Sequence, residues 1–386
     1  MYLPHSIPGY STLRISVAAA ARCALGLALA VNGVALASGP ELPFPILDGF
    51  ENFGREQGLP AEKIHAVLKT QDDRLWVGTW NGLCLREADG SFRRYGPEEG
   101  LSHKMVACLA EDPGSGDLWI GTFRGLTRFS AGRMTAYTQT DSGLPNNVVY
   151  GVDVVGNQVW AATAAGTGVM DLRTGEWKIY DHNNSPMHEP WCYAVKGSPT
   201  HVFIGIWGAG ILEHDPRTGS FKEYRDPDRD FHFDLVPDDG PIHDITAWVA
   251  WENDVLWQCT YFGVSRYDGK HWKTWIEGKS PLVSNFTQFA WAHRGAAWIG
   301  TDKGVSVTDG QTWVNYRVGE SGEGVREIHR PGQPPEMQTM PTALAHGFVL
   351  GIHVDDQEAW FATSLGLSRG RFAKSSQFSH SNPQQP

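Results

Sequence analysis

Residues Leu75–Leu83 read LWVGTWNGL, and Leu118–Leu126 read LWIGTFRGL. The shared core, an aromatic, an apolar residue, Gly or Ala, then Thr, recurs as LWVGT at 75, LWIGT at 118, VWAAT at 159, VFIGI at 202, LWQCT at 256, AWIGT at 297 and AWFAT at 359. Its anchors are Trp76, Trp119, Trp160, Phe203, Trp257, Trp298 and Trp360, spaced by 43, 41, 43, 54, 41 and 62 residues. A base period in the low forties is the length of a four-stranded propeller blade, so seven copies predict an all-β, seven-bladed β-propeller.

Each copy divides into four short strands. In the first, KIHAVLKT (Lys63–Thr70) precedes a QDDR turn, then come LWVGT, a WNG turn, LCLRE, an ADGS turn and FRRY (Phe92–Tyr95). Apolar residues alternate with a period of two and Gly, Asp and Asn stand at the breaks, which is a strand-and-turn pattern. The fourth strand carries paired aromatics, among them Phe92 and Tyr95, Trp177 and Tyr180, and Trp272 and Trp275. The mid-strand anchors are expected to pack between blades.

The seventh copy lacks a fourth strand and runs into KSSQFSHSNPQQP, whereas GFENFGREQGLP (Gly49–Pro60) resembles FRRYGPEEGLS (Phe92–Ser102) with no strands before it. Phe50–Gly54 is therefore predicted to complete the last blade, closing the ring and removing an open sheet edge. The expected organisation is a signal peptide over 1–37, a short leader over 38–48, the propeller over 49–373 and a polar tail over 374–386.

The first segment has the form of an export signal: Arg14 and Arg22 lead into an apolar run that ends at Ala35-Leu36-Ala37. That run is short for a bilayer and no stable membrane span is expected elsewhere. The expected location is the periplasm. Loss of the two arginines takes the net charge from −11 to −13. An acidic chain without a basic run is a poor match for nucleic acid. Removal of the segment leaves 349 residues, about 50 per blade, little for a second domain. Cys84, Cys108, Cys192 and Cys259 show no C-x-x-C spacing, so they read as buried free thiols, the alternative being a disulfide in an oxidising compartment.

The units GLPAEKIHAVLKTQDDRLWVGTWNGL and GLSHKMVACLAEDPGSGDLWIGTFRGL resemble the two-component regulator propeller repeats, and the resemblance extends loosely from Gly58 to Phe372. It implies a seven-bladed propeller with a ligand-sensing or scaffold role. No kinase core is recognisable in the sequence, so the expectation is a free-standing periplasmic propeller without direct phosphotransfer.

In such a blade the turn between the second and third strands lies on the same face as the loop leading into the next blade. Those turns place Trp80, Phe123, Arg124, Trp207 and Tyr261 on that face, with Lys303. An aromatic rim beside a cation suits a sugar, an aromatic compound or a peptide, and these five are the candidate ligand-binding residues. Two long insertions, Arg225–Pro241 and Arg317–Pro341, are expected as loops on this face.

His103, His188, His243 and His346 all stand just before or at the start of an inner strand. Two readings follow. They cap strand ends through loop hydrogen bonds, or His188, His243 and His346 converge on a copper or zinc ion at the channel mouth. Glu189 and Asp244 would then orient the rings or act as acid and base, or be solvated loop charges. Three functions are consistent with these features: a binding or sensor-type propeller for a small molecule or periplasmic protein partner; a metal-dependent lyase or oxidoreductase; and a structural subunit of a periplasmic complex. No dinucleotide or phosphate-loop motif is present.

Overall fold

The computed structural model describes residues 42–228 and 239–373. The expected signal peptide, the start of the leader, the polar tail and the middle of the first insertion lie outside the described residues. The rest forms seven antiparallel sheets in sequence order. The first blade, for example, runs from its inner strand Ile64–Lys69 through Leu75–Thr79 and Gly82–Arg86 to its outer strand Phe92–Tyr95. The seventh takes Val349–Val354, Glu358–Thr363 and Gly366–Phe372 from the end of the chain and Leu47–Phe53 from its beginning. The closing strand is thus the predicted one, antiparallel to Gly366–Phe372 with Phe50 opposite Gly370.

The repeated motif can now be read residue by residue. The seven hydrophobic clusters each draw mainly on two neighbouring blades, so the core sits between sheets. Trp76 is fully buried and meets Phe129 of the second blade edge-on at 5.2 Å. Gly78 is where neighbouring blades touch: a Cβ there would lie 2.6 Å from Val106 Cγ1. Thr79 locks the turn, donating its hydroxyl to Gly82 O at 2.8 Å and accepting the Asn81 N–H at 3.0 Å. The same donation recurs at Thr122, Thr163, Thr260, Thr301 and Thr363. In the fourth blade Ile206 holds that place, and Thr246 of the next blade donates to Gly210 O instead, at 2.9 Å. Gly82 has φ of 123°, a conformation open to glycine, and sends its N–H to Lys104 O at 2.7 Å. Gly125, Gly166, Gly210 and Gly366 are tied in the same way to the loops that open the next blades.

The likeness of GFENFGREQGLP to FRRYGPEEGLS also has a structural cause. Gly54 donates to Gln57 Oε1 and Gly96 to Glu99 Oε2, and short 3₁₀ turns follow at Arg55–Gln57 and Pro97–Glu99. The second insertion, expected as a loop, is instead a hairpin. Gly324–His329 and Glu336–Met340 extend the sixth blade to six strands beyond Trp313–Val318. It flanks the closing strand: Arg326 donates to Leu47 O at 2.7 Å, and Thr342 exchanges two 2.7 Å bonds with the Phe50 backbone.

Candidate functional site

The loops that open the inner strands share one capping device. The side chain three residues before the strand accepts the N–H two residues further on: His103 from Met105, Asn146 from Val148, His243 from Ile245, Ser284 from Phe286 and His346 from Phe348, at 2.8–3.2 Å. Histidine, asparagine and serine are interchangeable there because each offers an acceptor at the right reach. His188 does not share the position. It lies one residue earlier, is largely exposed, and faces Glu223 at 3.5 Å. His243 is buried and stacked on Phe262 at 4.1 Å, while His346 also meets Ser364 Oγ at 2.8 Å.

His188, His243 and His346 are therefore not gathered into one cage. Among the described residues no group of three or more His, Cys, Asp or Glu is placed to hold a metal ion. Asp244 is engaged by Arg225 at 2.6 Å and by the Asp226 N–H at 2.8 Å. The cysteines are free and buried, and burial pushes the thiols of Cys84, Cys192 and Cys259 up to about 12.

What the blades do bring together is a second ring. Every inner strand carries a β-bulge immediately after its first residue. The bulged residues are His65, Ala107, Tyr150, Tyr193, Ala247, Gln288 and Leu350, and all seven line the central channel. A bulge re-aims a side chain that the regular pleat would direct elsewhere. The channel encloses about 440 Å³, a volume suited to a small molecule.

Tyr150 and Tyr193 stack with centroids 4.5 Å apart at 14°. Burial, with Tyr150 and Tyr261 nearby, pushes the Tyr193 phenol up to about 12, so it stays protonated and able to donate. Buried beside Lys63, His65 is held at about 4 and is a neutral ring at pH 7. His65 Nε2 is buried with no hydrogen-bond partner within the protein, and the buried Gln288 amide faces the Tyr261 hydroxyl. Deeper in the channel Trp248 stacks on Phe289 at 4.3 Å, and Lys196 pairs with Asp153 at 2.9 Å towards the opposite face.

The turn residues flank this ring. Trp80 is 41% exposed and stacks on His65 at 5.8 Å and 10°, with Lys63 Nζ 4.2 Å from its ring. Phe123 meets Tyr150 edge-on at 6.2 Å. Trp207 lies 5.6 Å from Trp191, and Tyr261 stacks on Phe286 at 4.6 Å. Burial raises the Tyr261 phenol against the opposing pull of the Gln288 amide and the Trp207 indole beside it. Arg124 makes no ion pair among the described residues, whereas Lys303 is paired with Glu277 at 2.7 Å. The turn aromatics thus act as outer walls, and the bulge residues are what sequence reasoning missed. Their fixed place one residue into each inner strand was the available signal.

Residues 58–81 match the family model described as two component regulator propeller. No curated protein matches the sequence. Three solved structures share the fold. An extracellular domain described as that of a hybrid two component system, BT3049 from B. thetaiotaomicron, aligns at 17% identity and TM-score 0.62, over 84% of this chain and 42% of that one. The virginiamycin B lyase of Staphylococcus aureus aligns at 14% and 0.58, over 84% and 99%. PorZ, a surface component of the type-IX secretion system of Porphyromonas gingivalis, aligns at 12% and 0.51, over 84% and 39%. The chain spans well under half the length of the first and third. It is a seven-bladed β-propeller that carries the two component regulator propeller repeat.

Proposed function

We propose that this chain is a ligand-binding propeller of the sensor type, acting outside the cytoplasm, and that its site is the channel mouth on the face of the second-to-third-strand turns. The observation that carries this reading is the ring of seven bulge residues. It places a stacked tyrosine pair, the partnerless buried His65 Nε2 and the Gln288 amide over a cavity of about 440 Å³. Unpaired donors in a buried wall cost about 1–3 kcal/mol each unless a ligand or water takes them. Polar groups converging on an apolar concavity are the usual form of a small-molecule site. The predicted export segment and the fold shared with an extracellular domain support a location outside the cytoplasm.

The test is a ligand-observed NMR screen of small aromatic compounds, sugars and peptides against residues 42–373, repeated on Tyr150→Ala and Gln288→Ala. Binders that lose their signal with both variants, while both variants keep the melting transition, support the site. Binders indifferent to both substitutions overturn it.

A further inference from the structure

The rim of the channel mouth is unevenly charged. The chain carries a net charge of −11, and several basic residues on or beside this face are neutralised: Lys303 by Glu277 at 2.7 Å, Arg225 by Asp244 at 2.6 Å, and Arg317 by Glu327 at 3.2 Å. Between the first and second blades the pattern breaks. Lys63, Lys104 and Arg124 make no ion pair among the described residues. Lys63 is one residue before the first inner strand, Lys104 two before the second, and Arg124 in the adjoining turn.

Lys63 and Lys104 line one groove, and Arg124, in the next turn, stands near enough for its charge to act on His103 beside Lys104. Lys104 O accepts the Gly82 N–H at 2.7 Å, which lays its loop against the Trp80 turn. Lys104 and Arg124 both bear on His103: after burial, their charges are what lower its pKa. An open groove of about 470 Å³ is bounded by Lys63, Trp80, Asn81, Lys104, Arg55 and Glu62. Glu62 is its one carboxylate, and Glu62 is taken by Arg55 at 3.3 Å. Groove and channel are divided only by the Trp80–His65 stack, since Trp80 walls the groove and His65 the channel.

We infer that the ligand of the channel mouth is a small anion with a flat apolar ring, and that Lys63, Lys104 and Arg124 form the seat for its carboxylate or sulfonate. The inference rests on the channel-mouth reading proposed above. Uncompensated cations beside an indole and a neutral imidazole focus positive potential on one sector of an otherwise acidic protein. An oxyanion there gains charge-assisted hydrogen bonds, with Arg124 able to offer two in parallel. Trp80 and the Tyr150–Tyr193 pair supply faces for the ring. A neutral molecule of the same shape fills the aromatic mouth and leaves the seat unused.

The experiment compares 2-naphthoate, 2-naphthalenesulfonate and the uncharged 2-naphthamide by titration calorimetry against the full chain. At about 20 mM salt both anions are expected to bind about tenfold or more tightly than the amide, and the preference should fade by about 300 mM as screening sets in. The triple variant Lys63→Gln, Lys104→Gln, Arg124→Gln should bind the anions no better than the amide. Tyr150→Ala with Tyr193→Ala should weaken all three. If the amide binds as tightly as the anions, or the triple variant keeps the preference, the anion seat is wrong while the channel-mouth site stands. If the anion preference holds but the tyrosine substitutions leave binding untouched, the channel-mouth reading fails. Absence of binding by all three probes overturns the inference.

Discussion

Tyr150 and Tyr193 occupy the bulge positions of two neighbouring inner strands and stack at 4.5 Å, so one hydroxyl-bearing platform is built from two blades. Such a pair contributes about 0.5–1.5 kcal/mol beyond its buried area. Tyr193→Ala should therefore cost about 1–3 kcal/mol of stability and abolish ligand-dependent stabilisation, as read by thermal melting with and without a binder. Tyr193→Phe separates the two roles, keeping the stack and removing the donor, and should retain the melting temperature while weakening binders that use the hydroxyl.

The conserved look of the Gly-Thr step within the chain has a cost attached. Gly78→Ala drives a methyl to within 2.6 Å of Val106 Cγ1, across a blade interface that has no slack. Overpacking of this kind costs about 1–3 kcal/mol. Thr79→Val removes the bond to Gly82 O and the acceptor for the Asn81 N–H, for a similar loss. Urea denaturation of each variant checks both figures.

Ring closure depends on a strand from the far end of the chain. Removing residues 42–53 exposes the edge of Gly366–Phe372 and strips Phe50 and Phe53 from the clusters between the sixth, seventh and first blades. The truncated protein is expected to aggregate and to lose its cooperative transition. Thr342→Val is the milder test: it deletes both side-chain bonds to the Phe50 backbone and should lower stability by about 1–2 kcal/mol. A truncation that melts like the intact chain would show that closure is dispensable.

Acid should destabilise the propeller through a specific histidine. His353 is 7% exposed, packs 4.8 Å from Trp291, and is held by burial at about 4 instead of 6.5, with Asp355, Lys69, His293 and Glu358 as its charged neighbours. Between those values the unfolded chain takes up a proton that the folded protein refuses, so stability falls as the pH drops. From pH 7 to 5 the loss attributable to this residue is about 2 kcal/mol. His65, also held at about 4, contributes equally over that window, so His353→Gln should remove about half of this pH dependence and the double variant His65→Gln, His353→Gln most of it.

The fold was legible because its determinants repeat. Trp76, Gly78, Thr79 and Gly82 answer to steric and hydrogen-bonding demands that every blade shares, and the closing strand was visible as a fourth strand without its first three. The hairpin at Gly324–Met340 was not, because its first strand is half-buried, its second largely exposed, and neither carries an alternation of apolar and polar residues. At the site, Trp80, Phe123, Trp207 and Tyr261 could be placed on one face from their turns alone. The histidines allowed two readings in sequence, and the capping one holds for His103, His243 and His346, because an acceptor is needed at that place in the loop. His65, Tyr150, Tyr193 and Gln288 were marked only by their place one residue into each inner strand, since a bulge is a property of strand pairing and admits any residue. Arg124 could be placed from its turn, whereas Lys63 and Lys104 come to one groove only when two blades are set side by side.

Hydrogen-exchange mass spectrometry on the protein with its tightest small-molecule binder tests the central claim most directly. Protection confined to the inner-strand starts around 64–66, 149–151, 192–194 and 287–289, with the Trp80 and Phe123 turns, is the predicted result. Protection centred on the outer strands or on the 324–340 hairpin, with the inner-strand starts unchanged, would contradict it.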